Sequence, residues 1–177
     1  VQQVAECLAG LAYVNAIKPG HPAIFGLWCF VSDLRSGAMS GGSPEQVLLS
    51  SASAQMAHFY NLTGGTSSGI SDSKFPDSQS GSEKGINHAL VGNAGMNIIY
   101  EAAGMHGSLL GYSLEGVVID NDTIGSVQRT IKGIEVTDES LSIETMRAQC
   151  IGGPGHYLGA EQTLRIMQSE YLYPAIG

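Results

Sequence analysis

Gly64-Gly65-Thr66-Ser67-Ser68-Gly69-Ile70-Ser71-Asp72-Ser73-Lys74-Phe75-Pro76-Asp77-Ser78-Gln79-Ser80-Gly81-Ser82-Glu83-Lys84 reads as a strand, a polar loop and a helix start in one pass. Thr66 to Ser71 has the β-branched and small residues of a short buried strand, and Gly81 to about Met96 reads as a helix with Ile86, Leu90 and Val91 on one face. Between them lies a loop rich in hydroxyls that carries Asp72, Lys74 and Asp77, with Glu83 and Lys84 just after it. A loop leaving a strand's C-terminal end is free to vary while strand and helix hold it still, so a βα unit places its binding chemistry there.

Working upstream, Ser43-Pro44-Glu45-Gln46 is a helix start, with Ser as N-cap, Pro in the first turn and Gln at the capping-box position. That helix is expected to run through Leu48, Leu49, Ala52, Met56 and Phe59 to about Tyr60. Before it, Ala23 to Phe30 is a short continuous apolar run, the signature of a strand buried on both faces, and Val1 to Ile17 has helical apolar spacing that stops before Pro19-Gly20. Downstream, Asn97 to Ala103 is the third strand, and Ser113-Leu114-Glu115 opens a helix ending near Lys132-Gly133. Helices over Ser140–Cys150 and Ala160–Leu172 flank the loop Ile151 to Leu158. Strand and helix alternate three times, which predicts an α/β fold with parallel strands and right-handed connections, part of a barrel or of a doubly wound sheet. A complete (β/α)8 barrel needs roughly 200 residues at minimum. If the fold is a barrel, three βα units in 177 residues make this chain a segment of a longer protein.

With 43% apolar residues the chain is rich enough for one core, and a net charge of −8 with eight scattered Lys and Arg argues against nucleic acid. Cys7, Cys29 and Cys150 are odd in number and widely spaced, so a disulfide framework and a zinc site are both disfavoured and a reducing, cytoplasmic setting is expected. The longest apolar run, Ala23 to Val31, is too short to cross a bilayer. Gly64-Gly65 and Gly152-Gly153-Pro154-Gly155 lack the lysine and spacing of phosphate-binding loops.

Five segments, Gly20 to Trp28, Ser32 to Glu45, Gly64 to Lys84, Tyr112 to Asp122 and Gly153 to Gly159, together resemble the trimethylamine methyltransferase family. The resemblance implies a TIM barrel of which residues 1–177 are the C-terminal half, a partial (β/α)8 barrel. It also implies transfer of a methyl group from a methylated amine to the cobalt of a corrinoid (cobalamin) carried by a separate partner protein, with no cofactor bound directly, no metal ligands and no obligatory acid or base. The founding members of the family carry pyrrolysine where this chain has Ser82, between Asp77 and Glu83. Pyrrolysine is thought to supply an electrophile that quaternises a neutral amine. A serine there favours a substrate already quaternary, such as glycine betaine. Ala160-Glu161-Gln162-Thr163 departs from the family in lacking an expected histidine.

A quaternary ammonium has no N–H, so aromatic faces, carboxylates and shape must hold it. Trp28, Phe25 and Tyr100 are the aromatic candidates, with Trp28 favoured over Phe25 by its place nearer the strand's C-terminal end. Asp72, Asp77 and Glu83 offer carboxylates near the cation. The bland alternatives are core packing for the rings, a solvated loop for the acids and, for Glu83, a first-turn position favoured by the helix dipole. His106 follows the third strand and His156 sits in the Gly-Pro-Gly loop; either is a candidate for the carboxylate of a betaine. His58 and His88 fall on helices and read as surface or packing residues. Two rival readings remain: a non-catalytic half-barrel that self-associates through its exposed sheet edges, and a barrel enzyme acting on another small molecule through His106 and Asp72. A homo-oligomer is expected.

Overall fold

The computed structural model describes residues 1–175, and the chain divides into one compact unit ending at Ile131 and another beginning at Lys132. The first holds the sheet. β1 (Phe25–Gly26), β2 (Gly64–Ser67) and β3 (Ile98–Tyr100) are parallel and lie in chain order. The register aligns Gly26 with Gly65 and Gly65 with Ile98. Around them lie α1 (Gln2–Ile17), α2 (Pro44–Phe59), α3 (Ser78–Asn93) and α4 (Leu114–Lys132), with a short antiparallel hairpin of β4 (Met105–His106) and β5 (Gly111–Tyr112) after the third strand. The second unit contains α5 (Ile143–Cys150) and α6 (Glu161–Glu170). The parallel α/β order matches the expectation; among the described residues the sheet has three strands and no closed barrel.

The strands are shorter than their apolar runs. Leu27 N still donates to Gly65 O at 2.9 Å. Beyond it, the Gln46 side chain replaces a strand partner, donating to Cys29 O at 2.7 Å and accepting from Val31 N at 3.1 Å. The second strand begins two residues before Thr66, because Gly64-Gly65 is strand rather than turn. A Cβ on Gly64 would sit 2.6 Å from the Ala57 methyl, and one on Gly65 would collide with the Tyr100 ring. The same strand stops at Ser67, since Gly69 turns the chain with φ of +85°.

Ser43 caps α2 as expected, its Oγ accepting from Gln46 N at 3.3 Å. α3 starts three residues earlier than its apolar pattern, because Asp77 Oδ1 accepts from Ser80 N at 2.9 Å and caps it. Its buried face is also not the expected one. Ser80, Lys84, Asn87, His88 and Val91 face inward while Ile86 and Leu90 are exposed. α2 shows the same inversion: Val47, Ser50, Ala54 and Ala57 are buried, and Leu48 and Phe59 face outward.

Core side chains lie on one face of the sheet. Phe25, Leu27 and Ala57 form one cluster with Val4, Cys7 and Leu8 of α1, and Ala54, Val91 and Met96 form another with Ile99. The strand residues Gly26, Gly65, Ile98 and Tyr100 alternate to the opposite face.

The glycine contacts give opposite expectations within one protein. Gly64→Ala overpacks the sheet–α2 contact and should cost about 1–3 kcal/mol. Gly81→Ala, in a helix with nothing within 4 Å of its added methyl, should gain about 0.5–1 kcal/mol. Urea midpoints at unchanged m-value decide both signs.

Candidate functional site

The segments that follow the C-terminal ends of β1, β2 and β3 converge on a cleft of about 940 Å³, lined among others by Arg35, Ser40, Asp72, Lys74, His106 and Ser108. Asp72 binds these segments to one another. Its Oδ2 accepts from Ser40 Oγ at 2.5 Å, and its Oδ1 from Gly42 N at 3.1 Å. Ser108 Oγ lies 2.5 Å from Asp72 Oδ1 and 2.7 Å from Met39 O, sharing its proton between them, and accepts from Gly41 N at 3.2 Å. Ser108 adopts a left-handed φ of 58°, a strained conformation for a side-chain-bearing residue that concentrates at functional sites. Each Asp72 oxygen is thus engaged by protein donors. Glu83 does similar work one turn into α3: Oε2 accepts from Ser71 Oγ at 2.7 Å and Asp72 N at 2.8 Å, and Oε1 from Gln79 Nε2 at 2.7 Å. Asp77 is the α3 cap, and the Ser80 amide holds its carboxyl below the usual range. Ser82 is exposed on the same helix.

Beneath the cleft lies a charged cluster. Lys84 is 1% exposed, and its Nζ donates to Asp120 Oδ2 of α4 at 2.6 Å. Gly104 N, in the turn after β3, donates to the same oxygen at 2.7 Å. His106 is buried with Nε2 3.5 Å from Lys84 Nζ, and its Nδ1 has no hydrogen-bond partner. Burial, then the Lys84 charge, lowers the His106 pKa and favours the neutral ring over the imidazolium. His88 is buried as well, the packing member of the surface-or-packing expectation. Its Nε2 lies 2.9 Å from Ala102 O and its Nδ1 3.4 Å from Ser68 Oγ, and burial lowers its pKa too.

The aromatic candidates meet on the sheet face opposite the helices. Trp28 and Tyr100 have ring centroids 6.2 Å apart, Phe30 lies 5.3 Å from Trp28, and the Tyr100 ring lies over Gly65. Trp28 Nε1 is buried without a partner. Glu101 follows Tyr100 in a left-handed conformation, φ 58°, with Oε2 buried and unpartnered and its carboxyl pKa raised by burial. Phe25 is core. His156 is exposed in the second unit.

The sequence matches the family described as trimethylamine methyltransferase (MTTB) over residues 1–177. The chain belongs to the trimethylamine methyltransferase family. It is 39% identical over 163 residues to a trimethylamine methyltransferase of Methanosarcina thermophila, an alignment covering 92% of this chain and 33% of the relative. It is 32% identical over 174 residues to a glycine betaine methyltransferase of Desulfitobacterium hafniense, covering 98% and 36%. The chain thus spans about a third of the length of these family members.

Within this family segment, Lys84, Asp120, Ser108 and Glu101 are site features that pattern reading passes over. Lys84 carried a usable signal: it lies seven residues, two helical turns, before the buried Val91, and a charge on a core stripe demands a buried partner. Asp120, Ser108 and Glu101 show no such mark, since their roles depend on contacts between segments far apart in sequence.

Removing one member of the Lys84–Asp120 pair leaves a lone buried charge, so Lys84→Ala should cost about 3–5 kcal/mol in urea unfolding. The histidines set a pH dependence. Their pKa values are depressed in the fold, so below about 6.5 the unfolded chain binds more protons and stability falls with falling pH; above that value their contribution is complete. His88→Gln, which keeps an N–H for Ala102 O, should flatten the decline measured between about pH 7 and 5.5.

Proposed function

We propose that the full-length protein transfers a methyl group from a quaternary amine of the betaine class to the cobalt of a corrinoid carried by a partner protein. The single observation that carries this reading is the set of rings Trp28, Phe30 and Tyr100 over Gly65, in a chain related to a glycine betaine methyltransferase. A cation without N–H donors is bound by such faces. Ser82, at the position where the resemblance places pyrrolysine, supports a substrate already quaternary over trimethylamine, although trimethylamine methyltransferases are among the relatives.

Transfer breaks a C–N bond whose electron pair stays on nitrogen, so a quaternary ammonium leaves as a neutral tertiary amine and needs no proton. The reduced corrinoid supplies the electron pair for the new bond. The residues of this chain are left with binding, orientation and exclusion of water, the terms that alignment of two reactants requires.

The same reading extends the sheet to a (β/α)8 barrel. Its support is one-sided coverage: the packed helices α1 and α2 and the core lie on the face of Phe25 and Leu27, whereas parallel sheets are buried on both faces. In a barrel the face carrying Trp28 and Tyr100 is the interior, and the cleft lies at its C-terminal mouth, where barrel enzymes bind substrate. A cytoplasmic location fits the unpaired cysteines; among the described residues no helix is long and apolar enough to cross a membrane.

The test is methyl transfer by purified full-length protein with a reduced corrinoid acceptor. Glycine betaine should be demethylated and trimethylamine left unchanged; turnover of trimethylamine without pyrrolysine overturns the substrate assignment, and no turnover of any methylated amine favours the non-catalytic reading. Trp28→Ala should weaken quaternary-amine binding by about 0.5–2 kcal/mol, and Trp28→Phe by less. Unchanged affinity by calorimetry in a folded Trp28→Ala protein would reduce Trp28 to packing.

A further inference from the structure

The geometry points to Lys84 and Asp120 as a buried positioning pair that holds His106 in its neutral Nδ1–H form, so that the cleft meets a hydrogen-bond donor suited to a carboxylate. The choice of ligand rests on the betaine reading above; the protonation pattern does not.

The argument begins with donors. A lysine ammonium has three N–H donors and no acceptor. One is used by Asp120 Oδ2 at 2.6 Å, and His106 Nε2 lies 3.5 Å from the same nitrogen, with all three residues buried. An N–H at Nε2 would set donor against donor. A lone pair there accepts from Lys84, which leaves the ring proton on Nδ1. α4 crowds the same edge of the ring, since a Cβ on Gly116 would meet Nε2 at 2.8 Å.

Nδ1 is then a buried donor with no hydrogen bond of good geometry, the Ser73 carbonyl being a weak neighbour of the ring, in a residue that lines the cleft. Leaving such a group unmatched costs about 1–3 kcal/mol, a cost that a ligand acceptor removes. The groups acting on the ring are Lys84, Asp120, Asp77 and the Ser73 carbonyl; burial and Lys84 favour the neutral form, the other three oppose it, and burial is the largest influence. The pair itself is poorly explained by stability alone, because a well-packed apolar replacement of a buried ion pair is often neutral or stabilising. Its geometry explains it better: Asp120 also holds Gly104 N at 2.7 Å, so the pair fixes both the ring and the turn that delivers it.

Full-length protein labelled with 15N at the histidine rings, with His106 assigned by loss of its signals in His106→Gln, reads the tautomer directly. At pH 7 the expected pattern is an unprotonated Nε2 and a protonated Nδ1. Lys84→Met combined with Asp120→Asn removes both charges without stranding either one, and should convert His106 to a mixture of tautomers. A wild-type ring protonated at Nε2, or at both nitrogens, overturns the proposal, and that result is decisive even if the double variant fails to fold. An unchanged Nδ1–H tautomer in a folded double variant overturns it equally. Glycine betaine should shift the Nδ1 resonance where tetramethylammonium, the same cation type without a carboxylate, should not. If the wild-type and double-variant tautomers are as expected but betaine shifts nothing, the positioning pair stands and the carboxylate assignment of the cleft fails.

Discussion

Two adjacent residues of α3 hold the loops that follow two different strands. Glu83 accepts from Ser71 Oγ and Asp72 N after β2, and Lys84 reaches through Asp120 to Gly104 N after β3. Consecutive positions on a helix point about 100° apart, so one helical step serves two loops. The Lys84–Asp120 contact is the more demanding of the two. Desolvating both charges is expensive, and the compensation is a 2.6 Å bond plus a backbone donor on the same carboxylate oxygen. Once that arrangement exists, the turn carrying His106 and the loop carrying Asp72 have fixed positions relative to α3. The cleft is the space left between them.

The order of elements was legible in the sequence, and so were the ends marked by local chemistry. Ser43 with Pro44 announced α2, and Ser113, whose Oγ accepts from Gly116 N at 3.0 Å, announced α4. These signals are carried by side chains acting on their own backbone within three residues. What failed was the inward face of α2 and α3. The usual rule turns large apolar residues inward, yet Leu48, Phe59, Ile86 and Leu90 are all more than half exposed. The close approach of α2 to a strand of glycines admits only small residues such as Ala57 against Gly64, so the small side chains go in and the large ones go out. Gly64-Gly65 lies outside the strand expected from Thr66 for the same reason: glycines carry no strand pattern, and here they are a strand that tertiary packing has cleared of side chains.

The candidate site was legible by location more than by role. Trp28, Asp72, Tyr100 and His106 do follow or end the strands, as the βα reading requires. Asp72 and Glu83 were expected near a substrate cation, and both are instead saturated with protein donors. No spacing rule could show this, because the partners Ser40 and Ser108 lie 32 and 36 residues from Asp72. Among the described residues the buried polar atoms left without protein partners are different ones: beside side-chain oxygens of Ser51, Thr66, Ser67 and Asn87 they include three in the candidate-site segments, Trp28 Nε1, Glu101 Oε2 and His106 Nδ1.

Those three atoms follow a chemical pattern. Two are donors or become so, since indole nitrogen only donates and His106 Nδ1 carries the ring proton if Lys84 occupies Nε2; the third is a carboxylate oxygen. On the betaine reading proposed above, the complement of these atoms is an acceptor for each of the first two and positive charge for the last, the pattern of a zwitterion with separated charges. A simple tertiary amine would leave both donors unmatched, at a cost of about 1–3 kcal/mol for each buried group. On that same proposed reading, the aromatic rings bind either cation, and the buried polar atoms are what would separate the two classes of methylated amine.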